Sequence, residues 1–228
     1  MLSSVRFATR VKFVFRILLA ALLVSPLFLP MPHANAQVTA TAAVGEPPQY
    51  TNRWDFYGGV QYSHFNPSPA KVFPANNLLG FNGTATAYFK PVWGIEGSFR
   101  GLYGTIDAPI NQYGIQNPKM SEYLWLFGPT FRLLRREKYA AGLHFTIGAA
   151  YGNFSKDFPS NISPNQIDVY NDKLAFGSAV GGWADYNLSP KLAVRLITDY
   201  QPTHYGYKTQ SEFAGSVGVV YKIGSQHK

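Results

Sequence analysis

Residues 139–151 read YAAGLHFTIGAAY. Tyr139, Ala141, Leu143, Phe145, Ile147, Ala149 and Tyr151 share one parity, while Gly142, His144, Thr146 and Gly148 share the other. A period of two marks a β-strand with two unlike faces, because successive side chains point to opposite sides. One face here is apolar from end to end with a tyrosine at each limit; the other is small and polar. The run is also long enough for the ~9–11 tilted residues that a strand needs to cross a bilayer.

The same alternation recurs on both sides of this segment. It starts at Trp54 and runs to Phe65, with Trp54, Phe56, Val60 and Tyr62 against Asp55, Tyr57, Gln61 and Ser63. It returns over Leu79–Phe89, from Trp93 to Tyr103, over Glu122–Leu134, over Lys173–Leu188, from Leu192 to Tyr200, and over Phe213–Ile223. Short turns are expected at Lys90-Pro91-Val92, Arg135–Lys138 and Ser189-Pro190-Lys191. Long polar loops are expected at Asn66–Leu78, Thr105–Ser121, Phe154–Asp172 and Gln201–Gln210. Eight strands with short turns at one end and long loops at the other describe an all-β, antiparallel, up-and-down transmembrane β-barrel over 53–224. Both ends of that segment fall on the short-turn side, expected to face the periplasm.

Parity gives two faces but not which one meets lipid. A soluble lipocalin-like barrel would turn the apolar face inward around a ligand. The residues of the second face decide for the opposite arrangement: Glu96, Arg100, Glu122, Arg132, His144, Asp185, Arg195, Asp199, Glu212 and Lys222, set among Gly, Ala, Ser and Thr. An eight-stranded barrel is narrow and filled by side chains, and opposite charges can pair there. The Trp, Phe and Tyr of eight strands are too bulky for the same space. The aromatics also fall into two bands. Trp54, Phe89, Trp93, Tyr139, Tyr186 and Tyr221 lie near the short turns, and Tyr62, Tyr103, Tyr123, Trp125, Tyr151 and Tyr200 lie toward the long loops. Two such girdles suit the two interfaces of a membrane.

Composition narrows the class further. The 228 residues are 16% aromatic and only 14% charged, with no Cys. Chains that stay disordered lack this much apolar surface. A disulfide scaffold, a cysteine nucleophile and a cysteine-ligated metal are excluded. The first 36 residues carry Arg6, Arg10, Lys12 and Arg16, then an apolar run from Ile17 to Leu29, then Ala34-Asn35-Ala36. This is the layout of a cleaved secretory signal peptide. The rival reading, a membrane anchor, needs ~20 apolar residues. Removing those four basic residues halves the formal charge from +8 to +4, so the basic balance gives little support to a nucleic-acid partner. Residues 37–52 (QVTATAAVGEPPQYTN) read as a periplasmic linker, and 225–228 as a polar tail.

Three segments carry a family resemblance: Phe127-Gly128-Pro129-Thr130-Phe131-Arg132, then Gly181–Tyr200 (GGWADYNLSPKLAVRLITDY), then the final FAGSVGVVYKIG. Together they resemble the small outer-membrane β-barrel family, the OmpA-like or porin-like eight-stranded type. The resemblance implies export to the bacterial outer membrane, contact with outer-membrane lipid and with the outer-membrane assembly machinery, and a monomer. Closing strands of such barrels usually end on an aromatic residue, whereas this chain continues past Tyr221 to Ile223 and SQHK.

Little catalytic chemistry is expected. His144 near Thr146, Glu122 and Asp185 would suit a lipid-modifying barrel enzyme only if it faced lipid, and parity puts it inside. His64, His144, His204 and His227 are too scattered for a metal site, and no cofactor is indicated. The sharper idea is a charged plug in which Arg100 or Arg195 pairs with Glu96, Glu122 or Asp199. The expected function is non-enzymatic: an envelope-structural or surface-interaction barrel with possible weak pore activity. Two alternatives stand beside it, a lipid-modifying enzyme and a soluble binding barrel.

Overall fold

The computed structural model describes residues 52–206 and 209–224. The expected signal peptide, all of the 37–52 linker except Asn52, and the 225–228 tail lie outside the described residues. Eight strands follow one another: β1 (Trp54–Phe65), β2 (Asn76–Tyr88), β3 (Trp93–Thr105), β4 (Lys119–Arg135), β5 (Tyr139–Asn153), β6 (Lys173–Ser189), β7 (Leu192–His204) and β8 (Gln210–Ile223). Each is antiparallel to the next, and β8 returns to β1, placing Val60 opposite both Phe81 and Val217. Closure leaves no unpaired sheet edge, so the backbone satisfies its own hydrogen bonds within the wall.

The barrel is inside-out relative to a soluble protein. Outward residues such as Phe56, Val60, Phe81, Phe127, Leu143, Phe145, Ile147 and Val217 are exposed, while their strand neighbours Asp55, Gln61, Asn82, Thr130, His144 and Ser216 are buried. A soluble binding barrel would reverse this pattern. Ten of the twelve girdle aromatics are exposed on the outer wall. Tyr123 and Tyr151 are only half-buried, because they stand opposite each other on β4 and β5. Tyr123 also meets Tyr103 edge-on at 5.8 Å.

Several strands run further toward the loop end than the sequence pattern predicts. Asn76–Leu78, Lys119–Ser121, Gln201–His204 and Gln210 are strand, not loop. Backbone pairing persists there, as between Pro202 and Ser211, but outward positions such as Asn77 and Lys119 are polar. The apolar alternation fades before the ladder does. At the other end, register shifts between Arg132 and Leu134 and between Asn187 and Ser189. A bulge breaks parity, which is why Leu133 and Leu134 are both exposed.

The interior is crowded enough to dictate glycine. A side-chain carbon on Gly142 would come within 2.5 Å of the Trp183 ring and 2.2 Å of the Phe131 carbonyl oxygen. Gly142 therefore lets an inward indole lie flat against the wall. Trp183 is buried and donates its ring N–H to Thr130 Oγ1 at 3.2 Å.

Candidate functional site

The candidate site is the lumen, which changes character along its length. At the short-turn end the Arg195 guanidinium is held by two carboxylates. Its Nε lies 2.6 Å from Asp185 Oδ1, and its Nη2 lies 3.0 Å from Asp185 Oδ2 and 2.9 Å from Asp55 Oδ2. Lys222 Nζ reaches Asp185 Oδ2 at 3.1 Å, and Arg132 Nη2 approaches Asp55 Oδ2 at 3.6 Å. Two rings flank this cluster: Trp183 lies 4.3 Å below the Arg195 guanidinium carbon, and Tyr88 lies 3.7 Å from that of Arg132. Buried charges are tolerated when paired and hydrogen-bonded in this way.

Further along the lumen, His144 sits between two carboxylates. Its Nδ1 is 3.0 Å from Glu96 Oε1 and its Nε2 is 2.7 Å from Asp199 Oδ1. Arg100 Nη1 completes the group, 2.7 Å from Asp199 Oδ2 and 2.8 Å from Gln201 Oε1. Gln201 then donates through Nε2 to Glu212 Oε2 at 2.5 Å, and Ser63 Oγ donates to the same oxygen at 3.1 Å. The buried Glu212 carboxyl interacts with that of Glu122. The Tyr205 hydroxyl, from the turn after β7, donates to Glu122 Oε1 at 2.6 Å.

The loop end is apolar. Phe65, Leu78, Leu102, Ile106, Met120, Leu124, Phe154, Val169, Tyr170 and Tyr205 form one buried cluster. Phe154 stacks on Phe65 at 6.2 Å and meets Tyr205 edge-on at 5.3 Å. These loops are not simply solvated polar connections. Residues 154–172 and 205 return side chains over the mouth of the barrel. Desolvation raises the Tyr205 hydroxyl well above its ordinary pKa, and the Glu122 carboxyl beside it pushes the same way.

All ten charged positions named from parity are buried in this interior: Glu96, Arg100, Glu122, Arg132, His144, Asp185, Arg195, Asp199, Glu212 and Lys222. Their partners differ from the simplest expectation. Arg100 does pair with Asp199, but Arg195 takes Asp185 and Asp55 rather than Glu96, Glu122 or Asp199. His144 lies against Glu96 and Asp199, not Glu122 or Asp185. Asp55 was missed as a network member, although its parity on β1 marks it as inward. Gln201 and Tyr205 were missed because that stretch reads as loop.

Known structures share this architecture. Ail, the attachment invasion locus protein of Yersinia pestis, superposes with a TM-score of 0.52 at 18% identity, over 76% of this chain and 99% of Ail. Neisserial surface protein A gives 0.51 at 11% identity, over 75% and 97%. The outer membrane protein OprG from Pseudomonas aeruginosa gives 0.50 at 13% identity, over 77% and 98%. The fold is that of a small outer-membrane β-barrel. No protein-family model and no curated protein sequence matches the chain. What this barrel shares with the solved ones is its architecture; its lumen chemistry has to be read from its own residues. Among the described residues no cluster of His, Asp and Glu is arranged to hold a metal ion.

Proposed function

We propose that the protein is a non-enzymatic barrel of the bacterial outer membrane whose lumen is closed. It acts as a structural element of the envelope that displays its loop surface to the exterior. The observation that carries this is the succession of buried, bonded side chains in the lumen, from the Asp55–Arg195–Asp185 cluster through His144 and Gln201 to the Phe154–Tyr205 cap. Moving an ion through would require breaking buried charge pairs and also displacing an apolar lid. Closure of the sheet is consistent with a monomer, and the apolar outer wall with assembly into lipid by the outer-membrane machinery.

The loop surface supports the interaction half of the reading. Val72 and Ile110 are each about two-thirds exposed there. A shallow groove of about 330 Å³ lies between three loops, walled by Phe73, Pro109, Ile110, Tyr113 and Ile167. The lipid-modifying alternative gains nothing from His144, which is enclosed by Glu96 and Asp199 instead of facing lipid. Planar-bilayer recording of the purified, refolded chain tests the closed lumen. No current is expected from the wild type, and stepwise conductance that is altered by Arg195→Ala would overturn the proposal.

A further inference from the structure

The two ends of the barrel carry different charge. Among the described residues, the exposed ionic groups at the short-turn end are Arg53, Lys90, Arg135, Arg136, Lys138 and Lys191, opposed only by Glu137. At the loop end Lys71, Lys119, Lys156 and Lys173 are balanced by Asp107, Asp157, Asp168 and Asp172. Among these described groups one rim is strongly cationic and the other is balanced. The asymmetry does not come from the lumen, whose charges are buried.

The cationic rim is also built rather than trailing. Asn187 ties two turns together: its side-chain N–H donates to the Glu137 carbonyl at 2.8 Å and its backbone N–H to the Lys138 carbonyl at 2.9 Å, while Lys222 Nζ donates to its side-chain oxygen at 2.7 Å. This places Arg135, Arg136 and Lys138 beside the turn that carries Lys191. The first turn is pinned as well, Arg132 N–H donating to the Val92 carbonyl at 2.6 Å. Ring pairs stand at or beside the strand ends that feed these turns: Tyr139 with Tyr186 at 5.4 Å and Phe89 with Trp93 at 5.2 Å. Cations held just beyond interfacial rings match the layering of a leaflet, with acyl chains, then carbonyls, then phosphates.

We infer that the short-turn rim is a docking surface for anionic phospholipid headgroups, selecting them for the annulus around that end of the barrel. This rests on the reading of the chain as an outer-membrane barrel with its short turns toward the periplasm. Lysine and arginine close to a bilayer surface are attracted to anionic lipid, and the attraction fades within a Debye length. A rim fixed at headgroup height is therefore well placed to use it, and the balanced loop end gains nothing comparable.

The test uses the full chain refolded into phosphatidylcholine vesicles with phosphatidylglycerol as the minor component. It is done in a Trp125→Phe background, so that the remaining outward-facing tryptophans are Trp54 and Trp93. Brominated phosphatidylglycerol is expected to quench them at low salt with roughly tenfold preference over brominated phosphatidylcholine. The preference should collapse in high salt. It should fall to about twofold in Arg135→Gln/Arg136→Gln/Lys138→Gln, whose substitutions lie outside the lumen. If that triple variant fails to fold, Lys90→Gln/Lys191→Gln makes the same measurement from the neighbouring turns. Equal quenching by both lipids, or a preference that both variants retain, overturns the inference and leaves the barrel reading standing. A wild type that fails to insert into either vesicle, shown by a gel position that heating does not change, overturns both.

Discussion

Arg195 and Asp185 stand directly opposite each other on β7 and β6 and close a two-point ion pair, Nε to Oδ1 at 2.6 Å and Nη2 to Oδ2 at 3.0 Å. Neither side chain is reached by solvent. Removing one partner leaves the other charge buried, which typically costs 3–5 kcal/mol. Asp185→Asn is therefore expected to destabilise the barrel by about that amount in urea unfolding from vesicles. The double variant Asp185→Leu/Arg195→Met should recover part of the loss, since it restores the charge balance of the cluster, while Asp55 keeps Arg132 and Lys222 keeps Asn187 as a partner. A double variant as unstable as the single one would show that the unbalanced charge is not the source of the loss.

How much of this was legible before the structure depends on the range of the contact. Strand faces repeat every second residue, so Leu143, Phe145 and Ile147 against His144 and Thr146 are readable within one segment. The Asp185–Arg195 opposition is nearly as local, lying across one short turn. Asp55 with Arg195 is different. They come from β1 and β7, 140 residues apart, and meet only because the barrel closes and leaves β8 alone between them. Parity marks both as inward but cannot say which will touch. The cap was the least legible part. Phe154, Val169 and Tyr170 belong to a stretch rich in Asn, Pro, Ser and Asp, and Tyr205 to the polar run 201–210, and in neither does a period signal which residues turn back over the mouth.

The outer wall gives a depth-dependent prediction. Phe145 stands midway between Tyr139 and Tyr151 on β5, whereas Leu174 sits opposite Tyr151 at the loop-side girdle. Both are largely exposed on the wall. A cation at the bilayer midplane costs about 2–4 kcal/mol, and near the interface about 0–1 kcal/mol. Phe145→Arg should thus lower stability in vesicles by several times the effect of Leu174→Arg. The measurement is the free energy of unfolding from vesicles, and equal losses would mean that the wall does not lie in a bilayer as described.

Inside the wall, Gly142 makes the opposite demand. Any side chain there collides with the Trp183 indole or the Phe131 carbonyl. Gly142→Val should cost about 1–3 kcal/mol through overpacking. It should also push Trp183 off Thr130, visible as a change in its buried fluorescence. Gly215, where an added carbon would meet nothing within 4 Å, is the control: Gly215→Ala should leave stability within about 0.5 kcal/mol of wild type.

Tyr205 links the cap to pH. Burial pushes its hydroxyl well above the ordinary phenol value, and the neighbouring Glu122 and Glu212 carboxyls push in the same direction. The sign follows from linkage. The unfolded chain releases this proton near pH 10 while the folded barrel still holds it, so the folded state binds more protons in that window. Stability is then fully present below about pH 10 and declines as pH climbs from there through the folded pKa. Alkaline titration of phenolate absorbance should show Tyr205→Phe losing one group from the high-pH tail and none from the step near pH 10. The variant should also unfold with a shallower dependence on pH above 10, because the group that couples the cap to the proton is gone. Loss of a phenol from the step near pH 10 itself would place Tyr205 in solvent and remove it from the lid.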